Sequence, residues 1–146
     1  STEILSGARL GVESLAITQV DLQNNLMPQV GGFYIGKRCR IGVNSVIARG
    51  TIDDTIIEEN VMLGEQVLIG HNSFVGKGAV ITAGAKICGS VHISSGVWIG
   101  PSATVLQNIE ISTGVKLAAG AILFNNARNS GTYIGNPAKR FSFNKV

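Results

Sequence analysis

Residues 57–76 read IEENVMLGEQVLIGHNSFVG. Stepping by six from Ile57 gives Ile57, Leu63, Ile69 and Val75, and the same step continues through Ile81, Ile87, Ile93, Ile99, Val105, Ile111 and Leu117 to Leu123. All twelve anchors are aliphatic and nine are β-branched. Two residues before each anchor runs a second series, from Thr55, Val61, Val67 and Ser73 through Ala79, Ala85, Val91, Val97, Ala103, Ile109 and Val115 to Ala121, with no charge in it. Three residues after each anchor stands a turn former: Gly, Asn or Ser in eleven of twelve cases, with Gln66 as the exception.

A beat of six separates strand from helix. In a helix, six residues leave successive anchors about 240° apart, so they would walk round three faces and bury none. In a strand, side chains alternate with period two, and every sixth residue returns to one face. Short β-branched strands broken by Gly and Asn at a fixed offset fit the same reading. The chain is therefore expected to be all-β: strand, corner, strand, corner, stacked as a three-sided parallel β-helix with three hexads to a coil.

Working outward, hexads start at Ile35 (IGKRCR), continue at Ile41 (IGVNSV) and reach Ile47. The interval from Ile47 to Ile57 is ten residues, so four extra residues lie within 48–56 and form an insertion loop at one corner. Residues 1–34 read as an irregular cap, with Leu10-Gly11 as a worn hexad and 18–28 (TQVDLQNNLMP) as a protruding loop. Such a cap shields the strand edge that the open end of a stack would expose. After Phe124 the period ends, and residues 127–146 form a tail that holds Lys139, Arg140 and Lys145. One domain is expected for 146 residues, with the β-helix over 35–126.

Composition excludes several classes. A net charge of +3, scattered along the chain, does not make a nucleic-acid surface. No apolar run is long enough for a transmembrane segment, and no signal peptide is visible. Cys39 and Cys88 form no CxxC pair and read as reduced thiols, which suits a cytoplasmic setting. Two histidines 21 residues apart, His71 and His92, do not make a metal-ligand set. His92 and Trp98 each precede an anchor, so both face outward, where Trp98 suits a subunit contact.

His71 falls two residues after Ile69, at a corner position that elsewhere holds Glu65, Lys77, Ser95 and Gln107. By position it is a surface histidine. One coil of eighteen residues puts Gly89 directly above it, with Gln107 above that and the Asp53–Asp54 stretch of the insertion one coil below. A histidine between a carboxylate loop and a bare backbone NH combines a general base with an oxyanion donor.

The runs Pro28-Gln29-Val30-Gly31, Ile35-Gly36, Ile41-Gly42, Arg49-Gly50-Thr51-Ile52-Asp53-Asp54-Thr55-Ile56 and Ile69-Gly70-His71-Asn72 resemble the UDP-3-O-acylglucosamine N-acyltransferase family of lipid A synthesis, over roughly residues 7–125. The resemblance implies a left-handed β-helix that assembles as a homotrimer with its sites at subunit boundaries. It implies His71 as catalytic base and the Gly89 NH as oxyanion donor. It further points to Asp53, Asn72, Gln107 and Asn108 as substrate contacts. The implied reaction moves an acyl group from a thioester carrier, the phosphopantetheine of acyl carrier protein or coenzyme A, to a nucleotide-linked amino sugar, with no tightly bound cofactor and no metal. Hexapeptide-repeat carbonic anhydrases are set aside, because their metal site needs three histidines.

The sequence departs from that family at three places. Asn108 stands where the family has a second active-site histidine, Gly64-Glu65 where it has Asp-Asn, and no counterpart of its N-terminal nucleotide-binding domain is seen. The ending Gly135-Asn136-Pro137-Ala138-Lys139-Arg140 is similar instead to acetyl-CoA-dependent acetyltransferases, which implies carrier contacts at Gly135, Pro137, Lys139 and Arg140. An acetyl-CoA-dependent amino-sugar N-acetyltransferase and a non-catalytic scaffold are the alternatives.

Overall fold

The computed structural model describes residues 1–142. Lys145, the last cation of the expected tail, lies outside the described residues. Strands and turns account for all the regular structure, with no helix among the described residues. The strands stack into three parallel sheets of eight, six and five strands, and a separate two-stranded hairpin projects from them. In the first sheet one strand of the hairpin-like tail is antiparallel.

Register shows the coil directly. Met62 pairs with Val80 and Val80 with Trp98, eighteen residues apart each time. In the second sheet Leu68 pairs with Lys86, and Lys86 with Thr104. Below that, Val46 pairs with Leu68, twenty-two residues on. The excess of four is the insertion read from the interval between Ile47 and Ile57. It occupies the corner between strands Val46–Ala48 and Thr55–Ile57.

Both interior series behave as their spacing requires. All twelve anchors are at most 2 % exposed, and the series two residues earlier is at most 3 % exposed. No charged side chain is buried among the described residues. The polar members of the inner series are satisfied by the neighbouring coil, as burial demands. Ser45 Oγ donates to Gly64 O at 2.8 Å and accepts from Val67 N, and Ser73 Oγ donates to Cys88 O at 3.1 Å. Cys39, in the same kind of position, donates its thiol to Glu58 O at 3.0 Å. Cys88 is likewise a free thiol, and partial burial pushes its pKa up.

The corners turn through the left-handed backbone region. Asn60, Gln66, Asn72, Ser90, Ser102 and Asn108 all have φ between 56° and 60°. Gln66 pays the side-chain penalty of that region without glycine or asparagine chemistry, because the paired strands on either side impose the turn.

The N-terminal segment corrects one expectation. Residues 1–34 are not wholly an irregular cap. Glu3–Ile4 pairs with Arg40–Ile41, Arg9–Val12 with Val46–Ala48, and Phe33–Ile35 with Thr55–Ile57. They form a further coil, interrupted at one corner by residues 13–32. Within that interruption, Ile17–Val20 and Gln23–Leu26 make an antiparallel hairpin, where a loop was expected. Its turn residues Asp21 and Leu22 both take positive φ. At the other end, Gly131–Ile134 adds to Val115–Leu117, and Lys139–Arg140 folds back on it antiparallel, covering the sheet edge.

Candidate active site

One corner, between the second and third sheets, collects the unusual residues. From the N-terminal end it carries residues 13–32, then the insertion at 49–54, then His71-Asn72, Gly89-Ser90 and Gln107-Asn108. Two insertions at successive coils of one corner build a wall beside His71.

His71 is half-buried, which corrects its reading as a plain surface residue. Its Nδ1 lies 2.9 Å from Asn72 Oδ1 and 3.4 Å from Thr51 Oγ1. The other edge of the ring faces Gly89. A β-carbon built on Gly89 would sit 2.7 Å from His71 Cε1 and nearer still to Nε2. Ser90 N donates to His71 O at 2.7 Å, which fixes the vertical register of the two corners. The Gly89 amide donates to no group among the described residues. Corner amides at this offset are free elsewhere too, at Glu65 and Gln107 for example. What sets Gly89 apart is the missing side chain above a histidine ring.

Asn72 ties this corner to the insertion. Its Oδ1 accepts from Thr51 N at 3.0 Å, its Nδ2 donates to Asp53 O at 2.9 Å, and its own amide donates to Thr55 Oγ1 at 2.9 Å. Asp53 thus faces the site through its backbone carbonyl. Its carboxylate is exposed and makes no bond to His71, so the carboxylate expected beside the ring is absent. The neighbouring Asp54 accepts from Gly32 N at 2.7 Å and joins the two insertions. Arg49 Nε adds a second joint by donating to Gly31 O at 2.6 Å.

Gln107 and Asn108 are exposed one coil above Gly89, and Asn108 N donates to Gly89 O at 3.1 Å. Gly135, Pro137, Lys139 and Arg140 are also exposed, but they sit elsewhere. Gly135 O accepts from Ile122 N and Arg140 Nε donates to Ser130 O, so the tail lies at the C-terminal end of the stack and away from the His71 corner. Thr51 and Thr55 were missed from sequence. Thr55 had one signal, a hydroxyl that it shares with Ser73 in a mostly aliphatic inner series, whereas Thr51 had none. No cluster of three or more metal-binding side chains occurs among the described residues.

Residues 34–52 and 66–101 match the family model described as "Hexapeptide repeat of succinyl-transferase". This is a hexapeptide-repeat protein. The hexapeptide-repeat chain is 32% identical over 130 residues to a UDP-3-O-acylglucosamine N-acyltransferase of Delftia acidovorans, covering 89% of this chain and 39% of that one. It is 36% identical over 107 residues to the enzyme of the same name in Albidiferax ferrireducens, covering 73% of this chain and 32% of that one. It therefore spans well under half the length of these relatives. Its fold is similar to the crystal structure of UDP-N-acetylglucosamine O-acyltransferase (LpxA) from Moraxella catarrhalis RH4, with a TM-score of 0.85, 24% identity, and coverage of 99% of this chain and 55% of that one.

Proposed function

We propose that this chain transfers an acyl group from a thioester carrier to the amino group of a nucleotide-linked amino sugar. The observation that carries the reading is the His71 ring lying against Gly89 at a corner walled by two insertions. The similarity to enzymes named UDP-3-O-acylglucosamine N-acyltransferase supports the reaction class.

In this reading the free amine attacks the thioester carbonyl while His71 takes its proton. The carbonyl electrons move to oxygen, and the Gly89 NH donates to that oxyanion. The carbon–sulfur bond then breaks, the oxyanion collapses to an amide, and the leaving thiolate takes the proton from the imidazolium. Asn108 and Gln107, one coil up, offer polar groups to the substrate. The exposed Lys139 offers a cation to the carrier's phosphates at the end of the stack. A homotrimer would bring a neighbouring copy against this corner. Trp98, 45 % exposed, lines a groove of about 540 Å³ with Met62, Val80 and Arg40 that supports such an interface.

The test is thiol release with amino-sugar nucleotides, comparing acetyl-CoA with long-chain acyl carrier protein, for wild type and His71→Ala. Turnover that falls roughly 10²- to 10⁴-fold in His71→Ala supports the reading. The preferred donor separates acyl from acetyl transfer. Wild-type turnover in His71→Ala, or none with any donor in the wild type, rejects it. Sedimentation equilibrium at micromolar concentration checks the trimer, and a monomer there contradicts it.

A further inference from the structure

We propose that Asn72 is a positioning residue through which the insertion loop selects the tautomer of His71. This rests on reading His71 as the base. The oxygen and nitrogen of the Asn72 amide are distinguished by their partners. Thr51 N–H can only donate, and the Asp53 carbonyl can only accept. The Thr51 amide therefore requires Oδ1 on its side at 3.0 Å, and the Asp53 carbonyl requires Nδ2 on the other at 2.9 Å.

With Oδ1 so placed, the group facing His71 Nδ1 at 2.9 Å is an acceptor. A neutral imidazole carries one proton, and either nitrogen can hold it. The bond to Oδ1 holds that proton on Nδ1, which leaves the lone pair on Nε2. Nε2 is the ring atom nearest the place that a side chain on Gly89 would fill. The tautomer that Asn72 selects is thus the one that can take a proton there.

Asn72 does more than turn the corner. Asn60 and Asn108 hold similar φ angles of 59° and 60°, yet their side chains make no hydrogen bond among the described residues. Only at Asn72 does an insertion reach across from the coil below. The four extra residues bring Thr51 N and Asp53 O to the two ends of one amide.

The experiment reads the ring nitrogens of His71 by ¹⁵N NMR above the pH of ring titration, in wild type, Asn72→Gly and Asn72→Asp. Glycine accepts the 56° φ without strain while removing the amide. Wild type is expected to show an unprotonated Nε2. Asn72→Gly is expected to give a mixture of tautomers, with kcat down roughly 10²-fold and KM changed by less than about threefold. Asn72→Asp keeps an acceptor, so it should retain the Nδ1–H form and move the ring's titration upward, because a carboxylate favours the imidazolium. A wild-type ring protonated at Nε2, or an Asn72→Gly ring identical to wild type, overturns the proposal. If circular dichroism shows Asn72→Gly unfolded, the wild-type and Asn72→Asp spectra decide. The spectra need no substrate, so this failure is distinct from failure of His71 as base, which appears as full turnover in His71→Ala.

Discussion

The imidazole of His71 occupies the place where a side chain on Gly89 would go. The two residues are one coil apart, and their relation is steric before it is chemical. Gly89 does not have the positive φ of the corner glycines, so its backbone suits an L-residue. Alanine there is tolerated by the backbone but overlaps the ring. The ring cannot move away freely, because Nδ1 is bonded to Asn72. Gly89→Ala should therefore lower turnover about 10²-fold or more while the melting temperature changes little. A thioester assay beside a thermal melt checks this. An active Gly89→Ala would mean that the space above the ring is not used.

Interior and exterior positions on one strand pair should separate sharply. Ile81 is fully buried, whereas its cross-strand neighbourhood includes the outward Met62, 37 % exposed. Ile81→Asp puts an unpaired charge into an aliphatic interior, which costs several kcal/mol. It should abolish soluble expression. Met62→Asp should express and show the same circular dichroism as wild type. Equal yields of the two variants would contradict the inward assignment.

These two cases also show what the sequence made legible. The interior was readable because a strand returns to the same face every two residues, so a beat of six cannot be anything else over twelve repeats. Gly89 above His71 was readable for the same reason, since three hexads make one coil. The hairpin at 17–26 was not, because its Asp21-Leu22 turn lacks the glycine or asparagine that usually marks such a turn. Two strands of the first coil, Glu3–Ile4 and Arg9–Val12, were hidden because residues 13–32 separate them from their partners. At the site, two adjacent aspartates suggested a carboxylate beside the ring. The path of a loop decides which atom of a residue faces inward, and spacing carries no information about that path.

That difference has a measurable consequence at Asp53. Its carbonyl holds Asn72, and its carboxylate is exposed. Asp53→Asn keeps the carbonyl, so turnover should stay within about twofold of wild type, with the acid limb of the rate profile unmoved. Asp54→Ala removes the acceptor for Gly32 N and should speed amide exchange at Gly32. Rate profiles and hydrogen exchange on the two variants separate these roles. A downward shift of the acid limb in Asp53→Asn would restore the carboxylate to the site.

At another corner of the coil, between the third and first sheets, charge rather than packing joins successive turns. Glu59 lies between Lys77 one coil above and Arg38 one coil below. Its Oε1 is 2.6 Å from Lys77 Nζ, and its Oε2 is 2.9 Å from Arg38 Nη2. The hydrogen bond from Lys77, then the charges of Lys77 and Arg38, hold the carboxyl below its ordinary 4.5. A carboxylate whose folded-state pKa is lowered stabilises the fold above the unfolded value. That contribution is complete at neutral pH and is lost as pH falls below 4.5 through the lower folded value. The side chain is 35 % exposed, so the effect is small and screened by salt. Glu59→Gln should lower the melting temperature by no more than about 3 °C at pH 7. The gap to wild type should narrow as pH falls below 4.5, and in about 1 M salt at neutral pH. Thermal melts across that grid decide it. A gap that persists in acid would assign Glu59 a packing role in place of an electrostatic one.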